Sequence, residues 1–251
     1  MKQGAVAIID ALGFRGVWQR HDPATVLTCM ADLKARLDED VEQIRRQQPV
    51  MQFESAFLSD TIAVALSLRP ADGPAYGPDP EALSIVYVTD ILARVVAWSA
   101  RSRAPLAYRG AVTYGGYELR SNFILGPAVD EAARAHDAAQ GALMMPSARE
   151  IVADWLRNQP TNTHLVRFDV PLKGGDVFHS YTVSPLVQAV DEQDVHEITH
   201  RLLCTFEANR NSVDVAVKSD NTLKHLIACY ASRDWKPPAG LLHLARRAPA
   251  T

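Results

Sequence analysis

The chain has 251 residues, room for one large domain or for one domain with an appendage. Hydrophobic residues make up 47% and charged residues 22%, which places it among ordinary globular proteins rather than disordered or fibrous ones. Its net charge of −3 lacks the basic surplus of a protein that holds duplex nucleic acid non-specifically, although small anionic ligands need only a local positive site.

The three cysteines, Cys29, Cys204 and Cys229, are odd in number and form no CxxC pair. They read as reduced thiols in a cytoplasmic protein, with no zinc ribbon available. The apolar run at the N-terminus is too short for a signal peptide and ends at Asp10. No stretch approaches about 18 uninterrupted apolar residues, so no membrane span is expected.

In chain order, residues 5–10 (AVAIID) are a continuous apolar run that suits a strand buried on both faces. Gly13 follows in a turn. Asp22-Pro23 opens a long helix, with Asp as N-cap and Pro at the first helical position. Its stripe of Val26, Met30, Leu33, Leu37, Val41 and Ile44 steps by three and four and defines one buried face. Two strands at 50–57 and 61–68 flank a tight turn at Ser59-Asp60. Residues 69–80, rich in Pro and Gly, read as a surface loop. A second long helix covers 81–99, followed by strands at 107–115 and 119–125.

A short helix at 127–138, a strand at 142–145 and a helix from Ser147 to about 158 come next. Strands at 164–168 and 177–183 follow, and the pattern from 191 to 235 is helical until 237–240 (PPAG) breaks it. The leading order β-α-β-β-α-β predicts an α+β, ferredoxin-like catalytic domain over residues 1–184. Residues 185–251 read as a helical C-terminal extension. Many functions use that fold, so the site has to decide.

Asp10 closes the first strand and Asp60 lies in the turn between the next two. These strands are neighbours in a β-α-β-β layout, so the two carboxylates can meet at one edge. Close carboxylates repel unless cations neutralise them, and magnesium or manganese, hard ions with oxygen ligands, fit best. A pair of such ions can activate a hydroxyl and stabilise a phosphorus under attack. Spacing alone equally allows a turn cap and a hairpin residue.

The segments around these positions resemble class III nucleotidyl cyclases, the adenylate/guanylate cyclase superfamily. Asp10-Ala11-Leu12-Gly13-Phe14 matches its opening D-x-x-G-F, and Ser59-Asp60 stands where the family has a G-D turn. Arg109 to Gly115 is similar to R-x-G-x-x-x-G. Gly126 to Arg134 is similar to G-x-x-V-N-x-A-x-R, with Asp130 in place of the asparagine. Leu172-Lys173-Gly174-Gly175 resembles L-K-G. The resemblance implies two divalent cations on Asp10, the Ala11 carbonyl and Asp60. It further implies a triphosphate cradled by backbone amides at Gly13 and Phe14 and touched by Lys173, with Arg109 in the site and Arg134 stabilising the transition state. Asp130 and Arg134, at i and i+4, equally fit a plain helix ion pair. The family's head-to-tail pairing implies a homodimer with two shared sites.

Where purine cyclases of the superfamily carry a base-reading lysine and a second polar group, this chain has Ala56 and Phe123. A Phe would shrink the base pocket and offer a stacking face, and Glu54 shares a strand face with Ala56. A smaller pocket suits a pyrimidine. The compact domain with a helical C-terminal extension also resembles the pyrimidine cyclases of bacterial Pycsar anti-phage systems, known as PycC. That implies conversion of UTP to cyclic UMP and diphosphate, or of CTP to cyclic CMP, as a signal to a separate effector. A purine cyclase, and a catalytically dead dimerisation module, stay as alternatives. A diguanylate cyclase would need G-G-[DE]-E-F in place of Leu58-Ser59-Asp60-Thr61.

His196-Glu197-Ile198-Thr199-His200 matches H-E-x-x-H, which on a helix can hold zinc with the glutamate as base, so a zinc protease is a remote alternative. Arg201 and Asp194 sit close to the motif, and no glutamate lies beyond Glu207 to act as a distal ligand. Val195, Ile198, Leu202, Leu203 and Phe206 already form a core face, which leaves the histidines on a polar flank.

Overall fold

Eight strands and seven helices account for most of the computed structural model, which describes residues 1–69, 79–158, 164–207 and 212–242. Strand β1 (Lys2–Leu12) enters a 3-10 turn (Phe14–Gly16), a one-turn helix α1 (Val17–Arg20) and the long helix α2 (Pro23–Gln47). A hairpin of β2 (Met51–Leu58) and β3 (Thr61–Leu68) follows, then α3 (Pro80–Arg101) and β4 (Ala107–Arg120). The sheet order β2-β3-β1-β4-β5, with antiparallel neighbours, is the ferredoxin-like arrangement expected from the element order.

β1 explains how one strand serves two layers. Its side chains alternate across the sheet. Ala5, Ala7, Ile9 and Ala11 join the main core, which also holds Val26, Leu33, Leu37 and Val41 of α2 and Ile85, Val88, Leu92 and Val95 of α3. Val6 and Ile8 face the other way. They pack with Ala56, Ala63, Ala65 and Tyr117, under Ala128 and Ala132 of α4 (Pro127–Ala138). Asp10 continues this second row. The helix boundary at Asp22 forms as expected, its side chain accepting from the Thr25 amide at 3.0 Å.

Several boundaries differ from the sequence reading. β1 continues two residues beyond Asp10 because Leu12 still pairs with Ala107. Residues 107–120 are one strand instead of two. The Gly115-Gly116 step, which reads as a break, stays extended, and Ala128 Cβ would lie 3.5 Å from a Cβ on Gly115. Only the short β5 (Phe123–Leu125) is separate, after a turn in which Ser121 takes a left-handed φ of 54°. Gly126 is required at the start of α4. Its φ is 134°, and a Cβ there would lie 2.5 Å from the Gly116 carbonyl oxygen.

β6 (Met144–Pro146) pairs parallel with β4, and α5 (Arg149–Asn158) follows it. β7 (Leu165–Pro171) and β8 (Val177–Val183) form a separate two-stranded hairpin. The helical stretch read over 191–235 is two helices, α6 (Glu192–Cys204) and α7 (Val213–Ala231). Their Val195, Ile198, Leu202, Leu226 and Tyr230 enter the main core, so the extension packs into the same core as the helices on the sheet. Most of the loop read over 69–80 lies outside the described residues.

By length and composition α3 passes for a membrane span, although Asp90 and Arg94 interrupt its apolar run. Yet 72% of its apolar window is buried inside the protein, the position of a core helix. The three cysteines carry no disulfide.

Candidate active site

Asp10 lies on the α4 side of the sheet, between two partners fixed by strand register. Thr61 of β3 is beside it on one side and Arg109 of β4 on the other. Asp60 occupies the turn next to Thr61, where its carbonyl accepts the Ala11 amide at 3.1 Å. That bond fixes the β2–β3 turn against β1 and puts the two carboxylates at one sheet edge. Ser59 precedes Asp60 with φ 62°, the left-handed region in which glycine is at ease, so the serine here holds a glycine-type turn.

Arg109 Nη2 stands 3.6 Å from Asp10 Oδ2 and 2.7 Å from Asp137 Oδ1. Asp137 also accepts from Lys173 Nζ at 2.7 Å. Lys173 comes from the tip of the β7–β8 hairpin. Its amide donates to the Ala138 carbonyl at 2.8 Å, and Ala139 bridges to Leu172, so the tip is docked on the end of α4. The result is a line of alternating charges, Asp10–Arg109–Asp137–Lys173. Arg109 is the best buried of them, its side chain 12% exposed.

Burial pushes the Asp10 carboxyl above its ordinary pKa, and repulsion from Asp60 pushes it further. Arg109 and His136 pull the other way without cancelling the rise. Asp137 shows the opposite behaviour. The hydrogen bond from Lys173 holds its carboxyl below the usual range, with Arg109 adding to the effect. An anion short of positive charge therefore sits beside a second carboxylate, an arrangement that a divalent cation would neutralise.

The donor set fits magnesium or manganese. Two carboxylates and a nearby carbonyl are hard oxygen ligands, and magnesium keeps several waters and takes up substrate phosphates instead of demanding a full protein cage. Among the described residues no cluster of three or more His, Cys, Asp or Glu side chains offers such a cage.

Not every residue singled out from the sequence converges here. Asp10, Ala11, Asp60, Arg109 and Lys173 do. Gly13, with φ 73°, opens the turn that leaves β1, and the Phe14 ring packs edge-on against Trp18 with centroids 5.6 Å apart. Asp130 and Arg134 are exposed on α4. Arg134 Nε donates to the Asp130 carbonyl oxygen at 3.2 Å, not to its carboxylate, so the side chain folds back toward the start of α4 and away from Asp137.

Glu54 is held by Lys2 at 2.6 Å and by the Tyr117 hydroxyl at 3.4 Å, while Ala56 is buried opposite Ala63. Phe123 is 78% exposed. It pairs with Arg120, eleven residues along β4 from Arg109, or ~36 Å at roughly 3.3 Å per residue. Two residues were missed from the sequence, Asp137 and His136. Their only signal is the place of Asp137 three residues after Arg134 on one helix face.

The H-E-x-x-H segment does not assemble. His196 packs against the Tyr230 ring, Glu197 pairs with Arg201 at 2.8 Å, and His200 is exposed beside Cys204.

No protein-family model matches the chain, and no curated protein matches it. Solved structures do. The adenylyl cyclase CyaB from P. aeruginosa superposes with a TM-score of 0.44 at 16% identity, over 72% of this chain and 93% of that one. The catalytic core of a rhodopsin-guanylyl cyclase with converted specificity, in complex with ATPalphaS, gives 0.48 at 12% identity, over 73% and 95%. Monomeric adenylate cyclases from Trypanosoma brucei give 0.47 at 12%, over 75% and 92%.

Proposed function

We propose that the chain is a metal-dependent nucleotidyl cyclase. The ribose 3′-hydroxyl attacks the α-phosphorus in line, the bond from that phosphorus to the β-phosphate bridging oxygen breaks, and diphosphate leaves. The hydroxyl proton goes to solvent. The observation that carries this reading is the charge array. Two carboxylates, Asp10 and Asp60, lie beside Arg109 and Lys173, both of which are anchored by Asp137.

Each residue has a task in that reaction. Asp10, Asp60 and the Ala11 carbonyl would hold a pair of divalent cations. Bound there, such ions supply Lewis-acid activation of the hydroxyl and neutralise phosphate charge. Lys173 meets the β and γ phosphates as a point charge. Arg109 offsets the excess negative charge of the carboxylate pair, and Asp137 keeps both cations oriented. Backbone amides at Gly13 and Phe14 cradle the triphosphate. Arg134, with Asp130 beside it, stabilises the charge that develops on the α-phosphate. Arg134 folds away from the carboxylates of its own chain, so it serves the site of a partner in a homodimer.

The base is a pyrimidine, with UTP preferred and cyclic UMP the product. One feature supports this: Ala56 is buried and apolar where purine cyclases carry a base-reading lysine, whereas Phe123 lies far along β4 from the carboxylates and Glu54 is held by Lys2. Such a product would be an anti-phage alarm signal read by a separate effector.

The test is a product assay. The protein is incubated with all four ribonucleotides and manganese, and products are identified by mass. Cyclic UMP with diphosphate is expected. Cyclic AMP as the main product would overturn the pyrimidine reading alone. No cyclic product, together with no manganese-dependent UTP binding, would overturn the reaction.

A further inference from the structure

A cavity of about 580 Å³ lies on the α2–α3 side of the sheet, the face opposite Asp10. It is bounded by the start of α2, the end of α3 and the segment leading into β4, and its size is that of a small-molecule site. Tyr108 lies at the β4 side. Its side chain is 1% exposed, and its hydroxyl has no hydrogen-bond partner of acceptable geometry. The neighbouring Ser99 has one lone pair left for that hydroxyl, at poor geometry. Its Oγ donates to the Leu106 carbonyl at 3.1 Å and accepts the Leu106 amide at 3.2 Å. A buried hydroxyl so poorly paired is strained, which makes Tyr108 a donor open to a better acceptor. Burial keeps it protonated.

The walls say what kind of acceptor. Leu33, Trp98 and Leu106 make one part apolar, while Thr25 and Thr28 add hydroxyls. Three arginines line the cavity against one acid, Asp32. Arg101 is neutralised by Asp194 at 2.6 Å, but Arg36 and Arg103 have no acidic partner among the ion pairs of the described residues. The surplus is positive and lies at the rim, where both arginines are exposed.

We propose that this cavity is a second ligand site, taking a small molecule with one anionic headgroup on an apolar body. The anion meets Arg36 and Arg103, the body fills the space over Leu33 and Trp98, and an acceptor on the body takes the Tyr108 hydroxyl. Binding there asks nothing of the carboxylate face, so it holds or fails independently of nucleotide turnover.

Two fluorescent probes that differ only in charge test this on the full chain. Anilinonaphthalenesulfonate carries the anion, and N-phenylnaphthylamine is its uncharged counterpart. Expected is saturable one-to-one binding of the sulfonate to the folded protein, at least ten times tighter than that of the neutral probe. The exposed pair R36Q/R103Q should weaken the sulfonate roughly tenfold and leave the neutral probe unchanged. Thr28→Trp should block both probes by filling the mouth. Equal affinity for the two probes, sulfonate binding unaffected by R36Q/R103Q, or no saturable binding would each overturn the proposal. The arginine pair is on the surface, so its result stands even if the Trp variant folds poorly.

Discussion

Arg109 stands directly across the β1–β4 ladder from Asp10, its Nη2 3.6 Å from the Asp10 carboxylate, and it reaches on to Asp137 at 2.7 Å. The shorter contact is the one to Asp137. The arginine therefore leans away from the carboxylate pair and leaves Asp10 with more negative charge than its neighbours cancel.

Replacing Asp10 by asparagine should make the metal-free protein more stable at neutral pH. The folded state raises the Asp10 pKa, so it binds the proton more tightly than the unfolded chain does. Stability is then lost as pH rises from the ordinary carboxylate value of about 3.9 through the raised folded value. The melting-temperature gap between D10N and the parent should be largest near pH 7 and close toward acid. Manganese at a hundredfold excess over its Kd should add about 2.7 kcal/mol to the parent and far less to D10N. A parent that melts at the same temperature with and without manganese would refute the metal assignment.

Asp137 holds two cations at once, so its loss should be felt through both. Asp137→Ala should lower kcat/KM about tenfold or more, with KM for the triphosphate rising as Lys173 loses its anchor. Lys173→Ala in the same background should add little, because the two side chains act as a unit. Full additivity in the double variant would show that Lys173 works without Asp137.

Ser59→Gly should stabilise the fold while keeping turnover. Ser59 holds φ 62°, a conformation that costs a non-glycine residue about 1–2 kcal/mol. Glycine removes that cost and gives back part of it as extra freedom of the unfolded chain. A net gain of about 0.5 kcal/mol should appear as a higher urea midpoint at unchanged slope.

Gly126→Ala should do the reverse. A Cβ placed 2.5 Å from the Gly116 oxygen, at φ 134°, forces α4 off the sheet. A loss above about 2 kcal/mol is expected, with activity falling alongside, because α4 carries Asp130, Arg134 and Asp137. Denaturation midpoints and turnover measured on one preparation check both effects.

Shared sites in a homodimer make a sharper forecast. Asp60→Ala and Arg134→Ala should each be inactive alone, the second with stability within about 0.5 kcal/mol of the parent because Arg134 is exposed. Mixing the two should restore activity, since one of the two sites in a mixed dimer then carries both residues. Mixtures as inactive as the single variants would place Arg134 and Asp60 in the same protomer's site.

The sequence by itself determined the element order and hence the ferredoxin-like sheet. Those signals are local. Apolar runs such as 5–10, the Asp22-Pro23 start of α2 and the three-and-four stripe of that helix act through nearest neighbours along the chain. It also determined that Asp10 and Asp60 would share a sheet edge, because strand adjacency follows from the β-α-β-β layout.

Other features needed the folded chain. The continuity of β4 through Gly115-Gly116 depends on a ladder with β1. Asp137 was invisible because its importance comes from Arg109, twenty-eight residues earlier, and from Lys173, thirty-six later. The separation of Phe123 from the carboxylates was equally hidden, since strand register sets it and composition does not. Charge compensation and register are properties of space between segments, and no stretch of sequence carries them alone.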